Sequence, residues 1–563
     1  MDNKLLFAEK LQQVLAEHLT VDGVKALIEI PKDSSMGDLA FPVFTLARVL
    51  RKAPPQIAQD IVAQMDTSAF QTVEAVGPYI NIRLKRSATA FEIVKDVIEK
   101  GEQYGAVDLG KGATMTVDMS SPNIAKPMSM GHLRSTVIGN AIANIAKKTN
   151  YQPIRINHLG DWGTQFGKLI VAYKMWGDDK VIEADPVKEL VKLYVDFHEA
   201  AETRPELEEQ ARAAFKALED GDEEMIRLWT WFKDESLKEF NKVYDLLGIT
   251  FDSYNGEAFY NDKMQPIIDE LEEKGITTVD NGATIVKLDE EDLPPALIKK
   301  SDGATLYATR DLAAAQYRKD TYDFAKNVYV VGNEQSGHFK QLRAVLKRMG
   351  RDWADDMIHV PFGLITLNGK KLSTRKGKII LLEVVLNDAI NLAFQQINEK
   401  NPTLANKEAV AKEVGVGAVV FHDLKTDRMN SFDFKLEEIV QFEGETGPYV
   451  QYTYARAMSL MRKYGQAIDA NGDYQLEDDY SWEVAKKLLA YPQVVTQAME
   501  KYEPSVIAKY AVQLAQLFNK YYGNTRLLDD DAQRPARMAL VKATTIVIED
   551  ALNLLGIAAP EEM

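Results

Sequence analysis

Four consecutive segments constrain most tightly the kind of fold this chain can adopt. ATMTVDMS (residues 113–120) is a short β-rich run, GHLRSTVIGNAIANIAKK (131–148) has helical spacing, YQPIRINHLG (151–160) is β-rich again, and GTQFGKLIVAYKMW (163–176) is helical. Strand, helix, strand, helix predicts a doubly wound parallel sheet, because parallel strands need a long crossover and a helix supplies it. The pattern resumes with ATLYATRDLAAAQYR (304–318) and NVYVVGNEQSGHFKQLRAVLKRMG (327–350), and a closing strand is expected over IHVPFGLITL (358–367). Between the halves, Asp185 to Leu247 is charged and helical, and TTVDNGATIVKL carries an Asn-Gly hairpin signal. An insertion around 175–300 is therefore expected inside the sheet domain.

With 563 residues, one hydrophobic core is too few, so an α/β multidomain chain follows. Residues 1–110 read as a small α/β unit with an N-terminal helix, a second helix over FPVFTLARVLRKAPPQIAQDIVAQM and a strand at PYINIRL. Residues 111–380 form the sheet domain, 381–440 a helical connection, and 441–563 an all-helical domain. No apolar run approaches the ~20 residues of a membrane span, and MDNKLLFAEKLQQVLAEHL lacks the unbroken apolar core of a signal peptide. A cytoplasmic protein with no membrane partner is expected. The absence of cysteine removes disulfides, thiolate zinc sites and cysteine nucleophiles, and no metal site is expected. The net charge of -17 argues against a general nucleic-acid coat protein, since any nucleic acid must find a local basic patch against the overall field.

Three groups of residues carry candidate chemistry. In SPNIAKPMSMGHLRST (121–136), Gly131 and His132 open a helix at a strand's carboxyl end, with Lys126 and Arg134 adding positive charge nearby. Such a place binds phosphates, because a helix N-terminus offers unpaired N–H groups and a positive dipole end. A turn glycine followed by a satisfied surface histidine fits the same letters. LNGKKLSTRKGK (367–378) crowds Lys370, Lys371, Arg375, Lys376 and Lys378 into one loop, suiting a polyphosphate or merely a solvated surface. The third group is Asp118 at a strand end, Asn123 in the loop, Tyr307 and Asp311 four apart on a helix expected to start near Thr309, and Gln335 after a buried strand. Carboxylates there suit a guanidinium, although Asp311 equally fits a helix N-terminal position.

Taken in order, SSPNIAKPMSMGHLRST, NHLGDWGTQFG, SDGATLYATRDLAAA, NEQSGHF, KLSTRKG and GETGPYVQYTYARA resemble the bacterial class I arginyl-tRNA synthetases over essentially the whole chain. The resemblance implies a Rossmann-like, HUP-type catalytic domain that makes arginyl-adenylate from ATP and L-arginine, then transfers arginine to tRNA(Arg). It aligns Ser129–His132 with the HIGH signature, Ser129 standing where the first histidine is usual, and Lys371–Arg375 with KMSKS, Thr374 replacing the second lysine. Lys126 matches the lysine that supplies the missing charge in that family. The implied catalytic residues are Lys126, His132, Lys371 and Arg375, and ATP is implied at Ser129, Gly131, His132, Lys371 and Ser373. Asp118, Ser120, Asn123, Tyr307, Asp311 and Gln335 fall on arginine-binding positions. Residues 1–110 become a tRNA-contacting domain with Asn81 as a contact, and the C-terminal helices an anticodon-binding domain. Tyr449, Tyr452 and Tyr521 there fit either base stacking or core packing. The family further implies Mg2+ arriving with ATP, a monomer, and activation that needs tRNA. Alternatives are another class I synthetase, a small-molecule nucleotidylyltransferase, or a silent tRNA-binding paralogue.

Overall fold

The structure is a computed structural model. It describes residues 3–301, 307–367, 370–371, 374–375, 378–469, 471–472 and 475–563, with side chains left out at 34, 87–88 and 367–379. The chain divides into two compact units. One comprises Met1–Tyr104, Ala457–Tyr491 and Gln516–Val547; the other comprises Gly105–Arg456, Pro492–Ala515 and Ile548–Met563.

The first unit contains an antiparallel sheet of β1 (Leu39–Pro42), β2 (Thr72–Val76) and β3 (Tyr79–Arg83), ordered β1-β3-β2. The expected second helix over 41–65 does not form as one element. Phe41 and Pro42 belong to β1, with Phe41 opposite Ile80, and after one short helical turn at Ala47–Leu50 the longer helix is Pro54–Gln64. Arg51 turns left-handed at φ 50, and Ala53 is held extended before Pro54, which then opens the new helix at its first position. Buried Asp38 accepts from the Leu84 backbone N–H at 2.9 Å and from Trp482 Nε1 at 3.3 Å, which ties the sheet to the helix Asp479–Leu489 within this unit.

The second unit is built on a parallel sheet. β4 (Thr114–Asp118) and β5 (Gln152–Ile156) are joined by the helix Leu133–Lys148. After β5 come the helices Pro186–Thr203, Glu206–Glu219 and Glu223–Leu247, then an antiparallel sheet of β6 (Thr277–Asp280), β7 (Ala283–Val286) and β8 (Ala296–Lys299). The parallel sheet resumes with β9 (Lys326–Val330) and β10 (Met357–Val360), giving the order β10-β9-β4-β5. From β4 the chain first steps to one side, onto β5, and later returns on the other, onto β9. Ligands bind where the order reverses, beyond the carboxyl ends of the strands; here that is the crevice between β4 and β9.

The expected strand 358–367 is two strands in two sheets. β10 ends at Val360, Pro361 removes a ladder donor, and β11 (Ile365–Leu367) joins a separate small sheet. In it β11 pairs antiparallel with β12 (Lys370–Lys371). β13 (Thr374–Arg375) pairs with β14 (Lys378–Ile379), and β15 (Phe432–Asp433) runs parallel to β11. Beyond residue 380 the longer elements are helices. Among the described residues, no helix is long and apolar enough to cross a membrane.

Candidate active site

The segment leaving β4 folds back on itself through three non-glycine residues with left-handed backbone: Ser120 (φ 72), Ser121 (φ 53) and Ala125 (φ 58). Such conformations persist only when their surroundings hold them, and the partners are present. Ser135 Oγ accepts from the Ser120 N–H at 2.9 Å, Asn157 Oδ1 from the Ser121 N–H at 3.1 Å, and Ser236 Oγ from the Ala125 N–H at 3.1 Å. The buried Ser120 hydroxyl meets Tyr244 Oη at 2.7 Å and accepts from Thr136 at 2.9 Å. Asn123 bridges Gly160, where an added Cβ would stand 2.1 Å from Asn123 Oδ1. Only glycine at 160 leaves Asn123 in place.

The turn then reaches Ser129, whose Oγ accepts from the Gly131 N–H at 3.3 Å while His132 Nδ1 accepts from the Ser129 N–H at 3.1 Å. A backbone N–H can only donate, so the ring proton belongs on Nε2. Burial lowers the His132 pKa against the opposing bond to Ser129, and the neutral ring is a hydrogen-bond donor at neutral pH. Asn123, Lys126, Ser129, His132, Gln165 and Tyr194 help to line a cavity of about 360 Å³. Lys126 is exposed at its wall.

The basic segment is tied back to this turn at its far end. Met130 N–H donates to Ile380 O at 3.0 Å, Leu382 N–H donates to Met128 O at 2.9 Å, and Ser129 and Leu381 form an antiparallel bridge. Lys371 and Arg375 lie in β12 and β13; their side chains, and Ser373 altogether, lie outside the described residues.

The acidic residues gather at the crevice, with partners of their own. Asp118 accepts from Arg318 Nη2 at 2.8 Å and from Ser121 Oγ at 3.1 Å. A guanidinium does face Asp118, and this chain provides it. Tyr307 opens the helix Tyr307–Tyr322, two residues before the expected start, and is 68% exposed. Asp311, one turn on, meets His338 Nε2 at 2.6 Å. Gln335 is exposed and precedes the helix Ser336–Arg348.

Sequence reasoning missed His158 and Glu257. Burial lowers the His158 pKa, opposed by Asp118, with Arg318, Asp311 and Asp161 also acting on it. Its ring stacks on Tyr260 at 5.6 Å. Burial raises Glu257 to about 7; Arg310 opposes the shift, while Asp161 and Asp311 add to it. Asp161 is neutralised by Lys233 at 2.8 Å, whereas no ion pair to Glu257 forms among the described residues. A half-buried carboxylate with no ion-pair partner beyond the through-space pull of Arg310 can take a further cation. Residues 253–257 arrive there because Ser253 bridges Ile156 at the end of β5 and the Glu257 N–H donates to Leu159 O at 2.9 Å. An isolated Glu in YNGEAFY gives no spacing signal for this.

Other candidates need correction. Arg134 does not add charge to the phosphate end: it is 1% exposed and paired with buried Asp423. Tyr521 is 0% exposed, so its ring offers no face to a base, and its hydroxyl meets no partner among the described residues. Asn81 is 5% exposed inside β3. Tyr449 and Tyr452 are half-buried on the helix Gly447–Tyr464. The Arg456 guanidinium lies 5.0 Å from the Tyr452 ring centre.

A family model described as tRNA synthetases class I (R), catalytic domain, matches residues 93–436. The chain belongs to the arginyl-tRNA synthetase family. The family's N-terminal domain model matches residues 5–84, and the DALR anticodon binding domain model matches 450–563. An arginine–tRNA ligase of Enterococcus faecalis (strain ATCC 700802 / V583) is 62% identical over 563 residues, covering 100% of both chains. That of Ligilactobacillus salivarius (strain UCC118) is 58% identical with the same coverage. In this family the solved Thermus thermophilus arginyl-tRNA synthetase superimposes with a TM-score of 0.80 at 25% identity, covering 100% of each chain.

Proposed function

We propose that the crevice beyond β4 and β9 ligates L-arginine to tRNA(Arg) in two steps. The arginine carboxylate attacks the α-phosphorus of ATP in line, the bond to the bridging oxygen breaks, and pyrophosphate leaves with the electron pair. A hydroxyl of the terminal ribose of tRNA then attacks the acyl carbon of arginyl-adenylate, loses its proton, and AMP leaves. No covalent enzyme intermediate is required; positioning and electrostatic stabilisation supply the acceleration.

The observation that carries this reading is the pairing of Ser129 with Leu381, which puts the flank of a five-cation segment beside the glycine–histidine turn. On this reading Lys126, Ser129, Gly131 and His132 hold the phosphates from one side, and Lys371, Ser373 and Arg375 from the other. Asp118, Ser120, Asn123, Tyr307, Asp311, Gln335 and Glu257 form the arginine end, with Glu257 as the carboxylate awaiting a cation. Mg2+ enters as part of the ATP substrate. Among the described residues no group of three or more His, Asp or Glu could hold a metal. A cytoplasmic monomer completes the proposal.

Arginine-dependent exchange between ATP and pyrophosphate, run with and without tRNA, tests the first step. Exchange is expected with tRNA and negligible without it; strong exchange in its absence contradicts the tRNA requirement. Two further substitutions separate tRNA contact from core. Tyr452→Ala is expected to raise the KM for tRNA roughly tenfold through loss of base stacking. Tyr521→Phe, at a buried ring, should leave that KM within about twofold, as read by charging assays.

A further inference from the structure

The helix that begins beside His132 carries Arg134 in its first turn, and this guanidinium is 1% exposed. Its Nε lies 3.4 Å from Asp423 Oδ1, a carboxylate 1% exposed on the helix Lys407–Lys425. Nη1 donates to Asn430 O at 2.9 Å. The guanidinium carbon lies 5.1 Å from the ring centre of Phe432 and 5.9 Å from that of Phe362.

As a device for stability the pair is poor. The bond is long, Arg134 Nη2 and Asp423 Oδ2 meet no partner among the described residues, and burial lifts Asp423 to about 6 against the pull of Arg134. Buried ion pairs of this kind often contribute less than a packed apolar pair of similar volume. What the guanidinium does is gather the Asn430 carbonyl and the Phe432 ring from the chain that lies against β11, and the Phe362 ring just before β11 itself.

That chain leads to the basic segment. β15 pairs with β11, Ile365 opposite Phe432 and Thr366 opposite Asp433. Phe432 N–H donates to Leu364 O at 3.2 Å, Phe434 N–H to Thr366 O at 2.8 Å, and Gly363 N–H to Arg428 O at 2.8 Å. A Cβ on Gly363 would stand 2.8 Å from Asn430 C, so the two backbones touch. The far side, at Ile380–Leu382, is already bonded to Met128 and Met130. The basic segment is thus flanked by two anchors to the same helix start, one of backbone and one of Arg134.

We propose that Arg134 and Asp423 are positioning residues for adenylate formation, holding β11 in register with the turn that carries His132 through Asn430 and Phe432. This rests on the reading of the reaction given above. Arg134 touches neither substrate; it sets where Lys371 and Arg375 leave the fold.

The test replaces the pair by apolar residues, Arg134→Met with Asp423→Leu, so that no unpaired charge stays buried. The melting temperature should equal or exceed that of the wild type. In arginine- and tRNA-dependent pyrophosphate exchange, kcat is expected to fall at least tenfold, with the KM for arginine within twofold. Arg134→Lys, which keeps the charge and loses the planar fork, should show the same split and serves if the double variant does not fold. A folded double variant with kcat within twofold of wild type overturns the proposal, because the pair then only fills the core. So does a loss of kcat that matches the unfolded fraction by circular dichroism. Wild-type protein run alongside separates the claims: if it shows no arginine-dependent exchange, the reading of the reaction fails first.

Discussion

Lys126→Ala should slow arginine- and tRNA-dependent pyrophosphate exchange by roughly 10²–10³-fold, the range for removing one preorganised group that stabilises developing charge. The magnitude follows from how little positive charge the turn otherwise offers. His132 is neutral because burial lowers its pKa, and Arg134 is taken up by Asp423. Lys126 is the cation of residues 121–136 that stays exposed at the cavity wall. As the α-phosphorus is attacked, negative charge grows on the phosphate oxygens and on the departing pyrophosphate, and an ammonium at the wall stabilises that state more than the ground state. The loss should therefore fall on kcat, with the KM for arginine little changed. Exchange within threefold of wild type would remove Lys126 from the mechanism.

Glu257→Gln should raise the KM for arginine about 10- to 100-fold, because a hydrogen bond to a charged group contributes ~1.5–3 kcal/mol. The wild-type pH dependence carries the same information. Glu257 titrates near 7 in the folded chain, above the ordinary 4.5, and only its carboxylate attracts a guanidinium. Arginine affinity should be full above about pH 7 and weaken as pH falls through that value. Linkage gives the companion sign. Between about 4.5 and 7 the folded state binds more protons than the unfolded one, so this group lowers stability as pH rises. Bound arginine relieves that cost, so thermal stabilisation by arginine should be larger at pH 8 than at pH 6. A pH-independent KM, shared by Glu257→Gln, would contradict the assignment.

The sheet was legible because strand–helix alternation reports the backbone directly. β4, β5 and the helices Leu133–Lys148 and Ser336–Arg348 fall within the segments whose pattern predicts them, while β9 starts one residue early at Lys326 and the helix Tyr307–Tyr322 runs four residues past its segment. Boundaries failed where a local pattern met a tertiary partner. Phe41 has helical neighbours in sequence yet pairs with Ile80, and 358–367 reads as one apolar run until Pro361 divides it. Within the candidate site, the glycine–histidine turn at the helix start and the exposed Lys126 beside it were legible from their letters, because that local geometry depends on a short contiguous segment. The fate of Arg134 could not, since its partner lies 289 residues on. Glu257 was silent for the same reason: the burial that makes it unusual comes from segments remote in sequence. Tyr521 shows the converse, a helical tyrosine whose burial no spacing rule reveals.

The most direct test of the central claim is aminoacylation of total tRNA with each labelled amino acid, with and without ATP. The expected result is charging with arginine alone, dependent on ATP, with one AMP released per arginine attached. Charging with a different amino acid, or binding of tRNA with no charging at all, would contradict it.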